Sequence, residues 1–397
     1  MEEVVIVSAA RTAVGKMGGA LKNILPEDLA SFVIREAIKR TGVGLKQLDE
    51  VIFGHGKQSA DNPNIARLSA LKAGLPVEVP GYTVHRQCGS GLQAILNGSH
   101  QIALGLNDAV VVGGVESMST APYYSRQVRY GANAGNVLLL DPNTESQPRS
   151  QPAKEYGELT MGMTAENLAA KYNISRLEQD QFALQSQERA FMAIDTGKFR
   201  EEIVPLPIPN LKGEINHFAV DEHPRKTNIE ALSSLKPAFR QNGTVTAGNS
   251  SGRNDGASSL ILMSARKAKE LGIKPLARII SEGVSGVSPE IMGIGPVEAT
   301  RQALTRASLT LEDLDLIELN EAFAAQSLAV LKELGLGTEK VNVNGGAIAL
   351  GHPIGNSGAR IVVTLLYEMK RRQARYGLAT LCIAGGQGLA IIIENVR

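Results

Sequence analysis

The sequence predicts an α/β protein built from two related halves. Continuous apolar strands alternate with amphipathic helices at both ends of the chain, the pattern of a sheet covered on both faces. The order Ser90-Gly91, apolar helix, Val110-Val111-Val112 recurs as Ser357-Gly358, apolar helix, Leu378-Ala379-Thr380-Leu381. That repeat is faint at the level of single residues, but it suggests a duplicated α/β domain whose corresponding loops face one another.

Each element follows from its pattern. Val4-Val5-Ile6-Val7 reads as a strand, and Pro26 to Lys39 as a helix with Leu29, Phe32, Val33 and Ala37 inward. Val51-Ile52-Phe53-Gly54 is a second strand. Tyr82-Thr83-Val84-His85 is extended and gives way at Gly91 to a helix with Leu92, Ile95, Leu96, Ile102 and Leu106 on one face. Ala109 to Gly114 is a further strand. After Lys274 the alternation resumes with Ala277-Arg278-Ile279-Ile280, a helix opened by Pro296 and running through Leu304, and the strand Leu316-Ile317-Glu318-Leu319. The last helix carries Ile361, Val362, Leu365, Leu366 and Met369.

Between these halves the character changes. Residues 120–247 are richer in Asn, Gln, Pro and charge and lack comparable apolar strands. Ser175 and Glu178 form a capping-box signature before Phe182, Leu184, Ala190, Phe191 and Ile194. The segment therefore reads as a mostly helical insertion over a pocket. The expected division is residues 1–119 with 248–270, then 120–247, then 271–397.

At 397 residues the chain exceeds what one hydrophobic core usually serves. Its 43% hydrophobic and 20% charged content is ordinary globular composition. A formal net charge of +1 argues against a broad nucleic-acid or membrane-surface patch. Met1-Glu2-Glu3-Val4-Val5 offers no basic region or long apolar stretch of a signal peptide, and no apolar run approaches a membrane span. Cys88 and Cys382 are the two cysteines, without CxxC or Cys/His metal spacing, which suits a reducing cytoplasm and leaves both thiols for chemistry.

Cys88 is the most informative residue. In Gln87-Cys88-Gly89-Ser90-Gly91 it stands at a strand-to-helix turn, where helix-terminal N–H groups favour a thiolate and glycines admit a substrate to the backbone. Holding a thiolate at pH 7 against an ordinary pKa near 8.5 costs about 2 kcal/mol, which a helix terminus and an imidazole supply. A buried structural cysteine is the bland alternative. His352, bracketed by Gly351, Pro353 and Gly355, is held by a rigid turn rather than packed. Asn320 follows a strand and is placed to cap a helix over Ala322 to Leu331. Cys382 precedes Ala384-Gly385-Gly386, a turn whose free N–H groups are the material of an oxyanion hole, though it also reads as a plain tight turn. Two cysteines and a histidine without a metal signature suit acyl transfer, one thiolate as nucleophile and the other thiol as acid and base. His217 and His223 have no ligand partners at metal spacing and read as surface residues, and Gly15-Lys16 lacks the upstream glycine of a phosphate loop.

Cys88-Gly89-Ser90-Gly91, Asn320-Glu321-Ala322-Phe323, Gly351-His352-Pro353 with Ser357-Gly358, and the Cys382 turn together resemble the motif set of the thiolases, in particular those acting on acetyl-CoA. The likeness runs from Val5-Ser8-Ala9-Arg11-Thr12 through Gly113-Gly114-Glu116-Ser117-Met118-Ser119 and Thr246-Ala247-Gly248-Asn249 to the end. The resemblance implies two αβα halves, αβαβα overall, with residues 120–247 as a loop domain that binds coenzyme A. It implies reversible Claisen condensation of two acetyl-CoA through acyl-Cys88, with His352 taking the thiol proton and Cys382 handling the proton of the acetyl carbon. Asn320 would hold a water that assists His352 at one thioester oxygen, and the amides of Cys88 and Ala384 would hold the other. Coenzyme A would run past Met161, Arg225, Leu235, Phe239, Ala247, Ser251 and Phe323. No metal or resident cofactor is implied, because the coenzyme A thioester is substrate. A homo-oligomer, tetramer or dimer, is expected. The alternatives are a degradative 3-ketoacyl-CoA thiolase of broader chain length in fatty-acid oxidation, a decarboxylating ketoacyl synthase, and a non-catalytic acyl-CoA or lipid binder.

Four positions depart from the pattern the resemblance leads one to expect. Ala384 stands where glycine is usual, so a positive φ there would be costly. Thr160 and His85 are atypical, and Arg253 puts a cation near the expected pantetheine path. Met161 and Phe323, large and apolar, favour a short acyl group.

Overall fold

The computed structural model describes residues 2–209 and 213–396. Its strands are β1 (Val4–Arg11), β2 (Gly15–Lys16), β3 (Glu50–His55), β4 (Gly81–Val84), β5 (Ala109–Ser117), β6 (Leu206–Pro209), β7 (Ile215–Phe218), β8 (Asn254–Ser264), β9 (Ala277–Gly286), β10 (Leu316–Leu319), β11 (Tyr376–Ile383) and β12 (Gln387–Asn395). The helices that matter below are α1 (Pro26–Thr41), α2 (Ile65–Lys72), α3 (Ser90–Ala103), α4 (Met161–Lys171), α5 (Arg176–Asp195), α6 (Gly295–Ala307), α7 (Ala324–Leu334) and α8 (Ile354–Arg372).

The duplication predicted from the two Ser-Gly helices is a property of the topology. One hydrogen-bonded path runs β10-β11-β12-β9-β1-β8-β5-β3-β4. It divides where β1 meets β9 through only two residue pairs, Val5 with Arg278 and Ile6 with Ala277. On one side β4 and β5 lie parallel to β3, and β8 runs antiparallel to β5 and β1. On the other, β10 is parallel to β11, a single parallel bridge joins Ile317 to Val341, and β12 runs antiparallel to β11 and β9.

Strand alternation then makes five layers. Val110, Val112, Leu260 and Leu262 face the same core as Ala379, Leu381, Leu389 and Ile391, and between them sit Leu92 and Ile95 of α3 with Val362 and Leu365 of α8. Val111 and Ile261 point the other way, onto Leu29 and Val33 of α1 and Ile65 of α2. Leu378, Ala390 and Ile392 likewise pack on Val297 of α6 and Val330 of α7. The helices α3 and α8 are thus the shared middle layer, the αβαβα arrangement.

Sequence reading placed most elements within a few residues. Leu106 is an exception: α3 ends at Ala103 and Leu106 is exposed, so only the earlier apolar positions form the buried face. The capping box at Ser175 and Glu178 forms in both directions and opens α5. Between β5 and β8 the chain holds α4, α5 and shorter helices, and also a hairpin, β6 with β7. Buried Arg11 ties β1 to this segment, with Nε on Glu202 at 2.7 Å and a fork on Asp221 at 2.8 and 2.9 Å.

Candidate active site

Cys88 sits in a short 3-10 turn, Gln87–Gly89, leading directly into α3. Gln87 takes φ +46°, a left-handed conformation that costs a residue with a Cβ roughly 1 kcal/mol. Ser90 stabilises the turn by donating its hydroxyl to the Gln87 carbonyl at 2.6 Å and accepting the Arg86 N–H at 2.9 Å. The glycines that follow Cys88 are required by packing. A Cβ on Gly89 would lie 2.5 Å from Ile383 Cδ1, and one on Gly91 2.9 Å from both Ala359 N and Gly355 O. They let α3 close against α8 and β11.

His352 occupies the corresponding position before α8. Its Nε2 lies 3.3 Å from Cys88 Sγ, and its Nδ1 2.5 Å from Ser357 Oγ. The Ser357 hydroxyl donates its own proton to the Pro353 carbonyl at 2.9 Å, so it accepts from Nδ1–H. The tautomer follows: Nε2 is left with its lone pair toward the sulfur. The backbone is pinned as well, since His352 N donates to Asn254 Oδ1 at 3.0 Å and Asn254 Nδ2 donates to Gly15 O at 2.9 Å.

The electrostatics correct the expectation of a resting thiolate. Burial pushes the Cys88 thiol up to about 11, against the N–H groups of Ala384 and Cys88 and the Lys57 charge, which favour the anion. Burial, reinforced by the Arg360 charge, lowers His352 to about 4. The pair is therefore a neutral thiol facing a neutral imidazole. Cys382, at the end of β11, is buried and its pKa is raised further by burial and by the proximity of Cys88.

A cavity of about 180 Å³ joins these groups, and Cys88, His352 and Cys382 all line it. Met161, Phe239, Ser251 and Phe323 also line it, and Phe239 meets Phe323 edge-on at 6.0 Å between ring centres. Arg225, Leu235 and Ala247 are not in this lining; they gather beyond it, where Arg225 Nη2 donates to Ala247 O at 3.3 Å and Leu235 and Ala247 are exposed. Asn320 is fully buried on the turn after β10, and its N–H donates to Thr380 O at 3.0 Å, on the strand that carries Cys382. It does not cap a helix: α7 begins at Ala324 with Phe323 at the N-cap. Both side-chain atoms of Asn320 lack a protein partner.

The departures resolve locally. Ala384 is not at positive φ, because that conformation falls on Gly385 and Gly386 at +87° and +85°. Thr160 is the N-cap of α4, its hydroxyl oxygen accepting the Met163 N–H at 3.4 Å, and it does not line the cavity. His85 is outside the lining and Arg253 is in it. His223, read as a surface residue, is buried with both ring nitrogens unpartnered, while His217 is exposed as expected.

Sequence reasoning missed the wall supplied by Asn143 and Gln147, which carry no motif. It also missed what Glu116 does. That buried carboxylate accepts N–H groups from Gly56 at 3.0 Å, Lys57 at 3.1 Å and Gly355 at 2.9 Å, and pairs with His55 at 3.2 Å. Burial alone would raise its pKa; His55 and the amide donors outweigh that and lower it. It thereby locks the turn after β3 to the start of α8, beside His352. Among the described residues no group of His, Cys, Asp or Glu has the arrangement of a metal centre, and no helix is long and apolar enough to cross a membrane.

Comparison with known proteins agrees with this geometry. The family profiles described as "Thiolase, N-terminal domain" and "Thiolase, C-terminal domain" match residues 4–266 and 273–395. An acetyl-CoA acetyltransferase of Pseudomonas aeruginosa is 53% identical over 396 residues, covering 100% of both chains. The crystal structure of the Bacillus anthracis acetyl-CoA acetyltransferase superposes with a TM-score of 0.96 at 51% identity, covering 100% of this chain and 99% of that one. Human mitochondrial 3-ketoacyl-CoA thiolase in complex with CoA gives 0.94 at 45% identity, covering 100% and 98%. The Cys88–His352 pair, the Cys382 thiol lining the same cavity and the doubled fold have a common explanation: the chain belongs to the thiolase family.

Proposed function

We propose that the protein is an acetyl-CoA acetyltransferase, catalysing the reversible Claisen condensation of two acetyl-CoA to acetoacetyl-CoA and coenzyme A. The observation that carries this is the 3.3 Å approach of His352 Nε2 to Cys88 Sγ with Cys382 lining the same cavity. In the first half-reaction His352 takes the thiol proton as Sγ attacks the thioester carbonyl. The amides of Cys88 and Ala384, which favour negative charge at this spot, hold the oxyanion. Coenzyme A leaves as thiolate and regains the proton from His352, giving acetyl-Cys88.

In the second half-reaction Cys382 passes its thiol proton to His352 Nε2 and, as thiolate, removes a proton from the methyl carbon of the next acetyl-CoA. A thiol raised by burial is a weak acid, and its thiolate is a correspondingly strong base, which suits a carbon acid. The carbanion attacks acetyl-Cys88, the C–S bond breaks, and the Cys88 thiolate takes the proton held by His352 while the carbon proton stays on Cys382 as its thiol. His352 and a water held by the unpartnered Asn320 amide stabilise the enolate oxygen of the incoming thioester. A decarboxylating synthase makes its carbanion by losing CO2 and has no use for Cys382, so the second thiol favours the proton-transfer route.

Coenzyme A enters past Met161, Phe239, Ser251 and Phe323, with Arg225, Leu235 and Ala247 outside the mouth. The human relative crystallised with CoA supports this class of substrate, and no resident cofactor is required. The free thiols of Cys88 and Cys382 support a reducing compartment, the cytoplasm. A homo-oligomer is supported by the half-buried Tyr82 and Val84 on edge strand β4 and by exposed Tyr130, Leu138 and Leu139; sedimentation as a monomer at micromolar concentration would overturn it.

Thiolysis of acetoacetyl-CoA by coenzyme A, followed by loss of the substrate chromophore, tests the activity. Comparing kcat/KM for acetoacetyl-CoA and 3-ketohexanoyl-CoA tests the chain length, and a clear preference for the six-carbon thioester would instead make it a broader degradative thiolase.

A further inference from the structure

One cation in the cavity wall has no part in the reaction just described. Arg253 pairs through its backbone with His352 in an isolated bridge, and it lines the cavity that holds Cys88. Its guanidinium has Thr144 Oγ1 at 3.4 Å and Asp141 Oδ2 at 3.8 Å, with 44% of the side chain exposed. An ion pair of that length and exposure contributes little. Asp141 is moreover engaged elsewhere: it caps the short helix Pro142–Glu145, accepting Asn143 N–H at 2.8 Å and the Thr144 hydroxyl at 3.2 Å. Most of the five guanidinium donors therefore have no side-chain partner of this kind, on a residue that lines the cavity.

A second cation stands behind this wall. Lys57 is buried, and its Nζ donates to Pro142 O at 3.2 Å and to Ser146 Oγ, fixing the stretch that carries Asn143 and Gln147. The Glu116 carboxylate nearby is already engaged with three backbone N–H groups and His55. The cavity lining thus combines a fixed polar stretch, Asn143 and Gln147, with Arg253 and the apolar Met161, Met292 and Phe323.

An acyl-CoA carries negative charge in its phosphates and, in some acyl groups, in a terminal carboxylate. The phosphates are separated from the thioester by the whole pantetheine arm, whereas Arg253 lines the cavity of Cys88 and is bridged through its backbone to His352, the residue that touches the reacting sulfur. An anion that meets Arg253 while the thioester is at Cys88 belongs to the acyl group. We propose that Arg253 is a specificity residue that pairs with a carboxylate at the far end of the acyl chain, so that the enzyme also accepts 3-ketoacyl-CoA thioesters ending in a carboxylate and prefers them to methyl-ended thioesters of equal length. The inference rests on the acyl-transfer reading above.

The test compares kcat/KM for thiolysis of 3-ketoadipyl-CoA and 3-ketohexanoyl-CoA, equal in chain length and different in the terminal group, using the full-length protein and the variants Arg253→Leu and Arg253→Lys. A bidentate pair formed in the cavity predicts a preference of tenfold or more for the carboxylate-ended thioester, a drop of at least tenfold in that ratio for Arg253→Leu, and partial recovery for Arg253→Lys. The inference fails if the native protein shows no such preference. It fails equally if Arg253→Leu lowers both substrates alike by raising the KM for coenzyme A, for the guanidinium then serves the coenzyme. Acetoacetyl-CoA is the control: no turnover of any of the three thioesters overturns the acyl-transfer reading and this one together, while turnover without carboxylate preference overturns this one alone.

Discussion

Cys88 and His352 occupy equivalent places in the two halves of the fold, each on the loop that enters an inner helix, and they meet at 3.3 Å. Neither half could form the pair alone. His352 is aimed by Ser357, whose hydroxyl accepts from Nδ1 while donating to Pro353 O. Replacing His352 by Asn should slow acylation of Cys88 by about 10²–10⁴, the usual worth of a positioned base. Ser357→Ala should lose roughly tenfold with little change in KM, because the imidazole keeps its place but loses control of its tautomer. Single-turnover formation of acetyl-Cys88 measures both.

The same neutral pair sets the pH dependence of Cys88 reactivity. With the thiol raised to about 11, its thiolate fraction grows about tenfold per pH unit from 7 to 10. Inactivation by iodoacetamide should therefore keep accelerating beyond pH 9, where an ordinary thiol levels off, and acetyl-CoA should protect. A plateau near pH 7 would mean that Cys88 rests as a thiolate.

Cys382→Ser separates the two half-reactions. The hydroxyl keeps the shape of the site but is a far weaker acid, so acetyl-Cys88 should form at close to the native rate while condensation is abolished. Mass spectrometry of the trapped acyl-enzyme reads the first, and acetoacetyl-CoA formation the second. Condensation at the native rate would assign the carbon proton to another group.

His223 gives a stability prediction outside the chemistry. Burial, with Arg225 and Lys16 nearby, lowers it to about 4 from an ordinary 6.5. The folded state therefore binds fewer protons than the unfolded one between these values, and the stability this histidine contributes is present above pH 6.5 and lost as pH falls toward 4. The gap is worth roughly 3 kcal/mol. His223→Met, which takes up no proton, should gain about that much relative to the native protein between pH 7 and pH 4, read from urea unfolding at each pH.

The legible part of this protein was whatever leaves a periodic or punctuated trace. Apolar runs disclosed β1, β3, β5 and β10, and their glycine-bracketed turns singled out Cys88 and His352, which meet in the cavity. Hidden from the sequence were properties created by enclosure. The thiol and imidazole are neutral because protein atoms surround them, and no local pattern at Cys88 records that. Asn320 looked like a helix cap because Asn after a strand commonly is one, yet the chain turns for three further residues before α7 begins at Ala324. Asn143 and Gln147 reach the cavity only because Lys57 holds their segment down, a contact that spans 85 residues to Pro142.

Gly91 tests the architecture that brings the pair together. Its α-carbon faces α8 so closely that a methyl group would lie 2.9 Å from both Ala359 N and Gly355 O, backbone atoms that cannot swing aside. Gly358 answers from the other helix, where a Cβ would lie 2.5 Å from Leu92 N. Ordinary helix propensity favours alanine over glycine by about 1 kcal/mol. Here overpacking opposes it and typically costs 1–3 kcal/mol or more. Gly91→Ala should therefore destabilise the fold rather than stabilise it, and it should widen the gap between Cys88 and His352 as α3 retreats from α8. Urea unfolding together with the rate of acetyl-Cys88 formation measures both effects. A variant at least as stable as the native protein and equally fast in acylation would show that the helices pack with room to spare, and that the approach of the two catalytic loops is set elsewhere.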